Sequence, residues 1–130
     1  MNEQLTCEQR VDDALQNELS NLKILWELEC EGNEEYHEDL GTLNEYGLCF
    51  DYVEPGTYDE QAEGYYRYQL SYGGPSDEFR VYVNEYKQIH RVEYWFLDWF
   101  DGASRRVNKE AAPELYELLD YYLEIVPELT

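Results

Sequence analysis

Val11, Leu15, Leu19, Leu22, Leu25 and Trp26 recur at steps of three and four residues, which places them on one face of a helix. Thr6-Cys7-Glu8-Gln9 precedes them as a capping box, with Thr6 as N-cap and Gln9 reaching back to it. The pattern predicts a helix from Cys7 to Cys30, stopped near Gly32, with Asp13, Gln16, Ser20, Lys23, Glu27 and Glu31 on its opposite face. A shorter helix or helical turn is expected from Glu34 to Tyr46, ended by Gly47. The period then changes to two. Leu48 to Val53 reads as a strand closed by the turn pair Pro55-Gly56. Tyr66, Tyr68, Leu70 and Tyr72 alternate with Arg67, Gln69 and Ser71; after a Gly73-Gly74-Pro75-Ser76 turn, Phe79, Val81 and Val83 alternate with Arg80 and Tyr82. Asn84 to Lys87 makes a further turn, and Ile89 to Leu97 is the last expected strand. Its end, Tyr94-Trp95-Phe96-Leu97, is apolar on both faces and requires cover on both sides. A second helix is expected from Pro113, suited to a first turn, to Val126, with Leu115, Leu118, Leu119, Tyr122, Ile125 and Val126 inward and Glu114, Glu117, Tyr121 and Glu124 outward. Helix, strands and helix joined by short connections predict one α+β domain over residues 1–130. Its antiparallel meander sheet of about four strands packs with an N-terminal and a C-terminal helix.

Charge changes this picture from a generic fold to one whose acids are segregated along the chain. Between Ile24 and Tyr66 there is no lysine or arginine, yet the segment holds thirteen carboxylates. A second stretch without bases, Glu110 to Thr130, adds six acids, whereas Arg67 to Lys109 carries seven bases against six acids. The net charge of −21 is therefore concentrated in segments. A magnitude of about 2–8 suffices for the solubility of a small domain. The excess repels itself, costs stability, and attracts basic surfaces. Fourteen Tyr, three Trp and four Phe supply the buried area that a disordered acidic chain lacks. Direct contact with nucleic acid or an anionic membrane is opposed by the same field. Met1-Asn2-Glu3-Gln4 is polar and no apolar run reaches transmembrane length, so neither leader nor span is expected. Cys7, Cys30 and Cys49 lack a CxxC spacing and suit reduced thiols in a cytoplasm.

Local motifs add little chemistry. Glu34-Glu35-Tyr36-His37-Glu38-Asp39 has the ligand types of a divalent-cation site but neither EF-hand nor HExxH spacing, and reads more simply as a solvated face. Cys30 or Cys49 would have to meet His37 or His90 in space to form a nucleophile and base, and nothing local marks such a pair. Gly73-Gly74-Pro75-Ser76 lacks the P-loop lysine and is followed by Asp77-Glu78, which repel phosphate. Tyr65-Tyr66-Arg67-Tyr68 interleaves aromatics with a base, as single-strand binders do, yet alternation explains it as a sheet face. No metal, cofactor or catalytic residue is expected, and the chain is read as a non-enzyme.

The acidic surface is the remaining candidate. Duplex DNA presents one charge per about 1.7 Å of axis. Acids three or four residues apart on one helix are spaced by about 5–6 Å, too sparse to imitate it alone. Several acidic elements side by side are required. The expected partner-binding set is Glu27, Glu31, Glu34, Glu35, Glu38, Asp39, Asp51, Glu54, Asp59, Glu60 and Glu63 with Glu114, Glu117, Tyr121 and Glu124. Exposed tyrosines such as Tyr36, Tyr46, Tyr58 and Tyr121 would add contact area. The expected partner is a basic nucleic-acid-binding protein, inhibited without catalysis through imitation of DNA. Two other readings stand beside this one: an immunity protein for a basic nuclease toxin, and a carboxylate–metal hydrolase using Glu35, His37 and Glu38. Arg67, Arg80, Arg91, Arg105 and Arg106 are expected to pair with nearby acids and tie the acidic elements to the sheet, or, for Arg105-Arg106 after a Gly102-Ala103-Ser104 loop, to serve a dimer contact.

Tyr72-Gly73-Gly74-Pro75-Ser76-Asp77-Glu78-Phe79-Arg80 and Glu93-Tyr94-Trp95-Phe96-Leu97-Asp98-Trp99-Phe100-Asp101-Gly102-Ala103 are similar to a motif in uncharacterised proteins of mobile elements. In size, acidity and expected α+β build the chain resembles the small anti-restriction and anti-CRISPR proteins of phages and plasmids, several of which imitate DNA. The resemblance implies action on a host defence system, in the host cytoplasm. It carries no active-site pattern, so it implies no functional residues.

Overall fold

A computed structural model describes residues 6–30, 46–47, 49–58, 61–71, 75–98 and 101–125. The element order is α1 (Cys7–Cys30), β1 (Cys49–Val53), β2 (Tyr65–Ser71), β3 (Ser76–Val83), β4 (Ile89–Asp98), β5 (Asp101–Arg106) and α2 (Pro113–Ile125). The five strands form one antiparallel sheet in chain order, β1-β2-β3-β4-β5. The α+β meander with a helix at each end is thus present. The sheet has one strand more than expected, because Asp101–Arg106 continues it beyond β4 instead of forming a loop at Gly102-Ala103-Ser104. The helical turn expected over Glu34–Tyr46 lies almost wholly outside the described residues.

α1 begins as its sequence requires. Thr6 Oγ1 accepts from the Gln9 backbone N–H at 3.2 Å, and Gln9 Oε1 accepts from the Thr6 N–H at 2.9 Å. The β3–β4 turn is set by Asn84, whose Oδ1 accepts from the backbone N–H groups of Tyr86 and Gln88, with Lys87 at φ 60°.

Both helices cover one face of the sheet. There Tyr66, Tyr68, Leu70, Phe79, Val81, Val92, Tyr94, Phe96 and Ala103 meet Val11, Leu15, Leu22 and Leu25 of α1 and Leu115, Leu118, Leu119 and Tyr122 of α2 in one core. Alternation decides the other face. Arg67, Gln69, Arg80, Arg91, Glu93 and Trp95 point away from the helices, with Val53, Tyr65 and Tyr82 as a small separate cluster. The cover expected on both sides of Tyr94–Leu97 is therefore unequal: helices on the Tyr94 and Phe96 side, and Arg80 stacked on Trp95 on the other.

Candidate functional site

Long-range polar contacts hold α1 against the β4–β5 hairpin. Asp101 Oδ2 accepts from the Cys7 backbone N–H at 2.7 Å, satisfying a donor at the positive end of α1. That bond holds the Asp101 carboxyl below its usual range. Arg10 donates to Asp98 at 2.6 Å and lies over the Phe96 ring at 4.7 Å. Arg105 reaches Glu8 at 2.7 Å and Asp12 at 3.0 Å. The Arg105 expectation is met in its first form, since this arginine ties an acidic helix to the sheet.

The far end of α1 lies beside α2. Trp26 Nε1 donates to Glu117 at 3.0 Å, the Trp26 and Tyr121 rings pack at 5.5 Å, and Lys23 stands 3.7 Å from Glu114. The end of α1 that carries Glu27 and Glu29 thus adjoins the helix that carries Glu114, Glu117, Tyr121 and Glu124. The leading end of the first acid-rich stretch, Glu27 and Glu29, meets the second stretch here. Asp13, Glu27, Glu29, Glu117, Asp120 and Glu124 make no salt bridge among the described residues. Partial burial pushes the Asp120 carboxyl up, with Lys109 opposing and Glu124 adding to the rise.

Acids on the open sheet face are treated differently. Asp51 pairs with Arg67 at 2.8 Å across β1 and β2, Glu78 with Arg80 at 2.8 Å, and Glu63 with Arg91 at 3.1 Å. Arg91 Nε also lies 3.2 Å from Glu93 Oε2 at an angle that forms no hydrogen bond. The arginines are stacked as well as paired: Arg80 over Trp95 at 3.9 Å and Tyr65 at 4.8 Å, and Arg91 over Tyr82 at 3.8 Å. Asp51 and Glu63 therefore belong to a neutralised face, apart from the α1–α2 junction. Glu54 is exposed at the turn after β1.

A third polar group sits between the layers. Glu18 of α1 meets the Asp77 carboxyl of β3, and Tyr46 donates its hydroxyl to Glu18 while accepting from Asn21 Nδ2 at 3.0 Å. Asp77 also accepts from the buried Tyr94 hydroxyl at 2.6 Å and from Ser71 Oγ. Burial, then the facing Asp77 carboxylate, pushes Glu18 up to about 8, while the Tyr46 bond opposes the rise. Sequence reasoning passed over this pair, although a signal was present. Glu18 falls in step with Leu15, Leu22 and Leu25 on the apolar stripe, and Asp77 falls in the inward phase of Phe79 and Val81.

Glu31, Glu34, Glu35, Glu38, Asp39, Asp59 and Glu60 lie outside the described residues, as do Tyr36 and His37. Tyr58 is exposed, whereas Tyr46 and Tyr121 are half-buried. Among the described residues, no group of three or more His, Cys, Asp or Glu side chains is placed to hold a metal ion. No described helix is long and apolar enough to cross a membrane. No protein-family model, curated protein or solved structure matches this chain.

Proposed function

We propose that this protein is a non-catalytic inhibitor that binds a basic nucleic-acid-binding protein of a host defence system through its acidic helical surface, in the manner of anti-CRISPR and anti-restriction proteins that imitate DNA. The observation that carries this reading is the partition of charge. The sheet's arginines pair with Asp51, Glu63 and Glu78, while Glu27 and Glu29 of α1 and Glu117 and Glu124 of the adjoining α2 make no salt bridge among the described residues. Adjacent helices at about 8–10 Å provide the second row of charge that a single stripe lacks. Carboxylates on two rows can occupy phosphate sites in a groove, and counterions released from both surfaces favour association. Trp26 and Tyr121, packed at the same junction, supply aromatic contact area at its centre.

Capture of a purified nucleic-acid-binding target on the immobilised protein tests the proposal, with duplex DNA as competitor and salt varied. Binding is expected to fall steeply with salt and to be displaced by DNA. A target that binds equally well with its nucleic-acid groove filled sinks the mimicry, and a target that proves to be a nuclease toxin shifts the reading to an immunity protein.

A further inference from the structure

Strands β2, β3 and β4 and the β1–β2 connection line a cleft of about 510 Å³ on the face of the sheet away from the helices. That volume is in the range of small-molecule sites. Arg80 stands in its wall in a fixed pose, stacked on Trp95 and Tyr65, with Nε donating to Glu78 at 2.8 Å. Its Nη1 and Nη2 atoms donate no hydrogen bond among the described residues. The Tyr65 side chain is 1% exposed, lines the same cleft, and its hydroxyl has no partner among the described residues. A buried hydroxyl without a partner carries a desolvation penalty that an incoming acceptor relieves.

We propose that this cleft binds a small carboxylate-bearing molecule, its carboxylate held by the Arg80 Nη atoms and the Tyr65 hydroxyl. The unclaimed groups define the chemistry. Guanidinium nitrogens only donate, so the ligand must bring an acceptor. Burial pushes the Tyr65 hydroxyl up to about 12, against the lowering effect of Arg80, and so keeps its proton available for donation. A planar guanidinium matches a carboxylate through two parallel hydrogen bonds. Because both rings already fix Arg80, little side-chain freedom remains to be lost on binding. Charge narrows the choice further. Glu63 lines the cleft, Glu78 and Glu93 pair with its arginines Arg80 and Arg91, and the whole chain carries −21, so a doubly charged phosphate is penalised more than a singly charged carboxylate.

Titration of benzoate into the full chain, followed by NMR at the Trp95 indole N–H and the Arg80 Nε–H, tests the site. Saturable shifts are expected at both, with none from benzamide, the neutral isostere. Tyr65→Phe keeps the ring and removes only the hydroxyl; it is expected to weaken benzoate about tenfold while leaving Tm unchanged or higher. Arg80→Lys keeps the charge but lacks the fork, and is expected to abolish saturation. Unmoved resonances, an equal response to benzamide, or undiminished affinity in Tyr65→Phe each overturn the proposal. Inorganic phosphate binding more tightly than benzoate overturns the assignment to a monocarboxylate.

Discussion

The helical layer and the open face of the sheet use the same acids to opposite ends. On the sheet, Asp51, Glu63 and Glu78 each face an arginine that reaches them across or along a strand. On the helices, α2 has no base at all, and α1 has only Arg10, turned to Asp98, and Lys23, at 3.7 Å from Glu114. The lesson is that net charge alone does not locate a binding surface. What matters is where the counter-charges of the fold are used up. The sheet face commits its carboxylates to holding strands and rings together. On the helical layer Glu8 and Asp12 meet Arg105 and Glu114 stands beside Lys23, but Glu27, Glu29 and Glu124 make no salt bridge among the described residues.

Removal of one sheet arginine should break this contrast most visibly. Arg80→Ala leaves the Glu78 carboxylate, 7% exposed, without its counter-charge and uncovers Trp95 and Tyr65. A loss of about 3–5 kcal/mol is expected in denaturant unfolding. The Glu18–Asp77 contact between the layers comes next. Glu18 is raised by folding, so its contribution is fully present below the unfolded carboxylate range and is lost as pH rises through about 8. Unfolding free energy should fall by on the order of 2–3 kcal/mol between pH 5 and 9, given the residual access of Glu18 to water, and Glu18→Gln should flatten that slope. Third is collective neutralisation of the helical face. Replacing Glu27, Glu29, Glu117, Asp120 and Glu124 with their amides should weaken a basic partner by about 2 kcal/mol, roughly 30-fold, without lowering Tm. The smallest effect belongs to Glu27→Gln alone, at about 0.4 kcal/mol or twofold in affinity at low salt, with stability unmoved. A single helical carboxylate whose loss abolished binding would reverse the comparison, since it would mark a specific contact instead of a distributed field.

The parts of this molecule legible in its sequence are those governed by local rules. The bounds of α1 follow from Thr6, Gln9 and the Val11–Leu25 stripe, and those of α2 from Pro113 and its leucines. Strands β2 to β4 follow from alternation. β5 was hidden because only Ala103 in Asp101–Arg106 is apolar and buried; its pairing rests on register with β4 and on polar contacts with α1. The cleft was hidden for a similar reason. Arg80, Tyr65 and Trp95 are ordinary outward residues along their own strands, and only the pairing of β2, β3 and β4 stacks them. The meeting of α1 and α2 at Trp26 was equally beyond reach, since it depends on contacts between residues 91 positions apart.

The anchoring of α1 has a consequence for how the chain assembles as it is made. Cys7 bonds to Asp101, Arg10 to Asp98, and Glu8 to Arg105, across separations of 94, 88 and 97 residues. An N-terminal helix leaving the ribosome therefore waits for the β4–β5 hairpin before it can dock, while β1 to β4 pair with neighbours already made. Closing so long a loop is slow, and in the interval the apolar stripe of α1 stays exposed. The mutual repulsion of its acids then protects the nascent chain from association until the hairpin arrives.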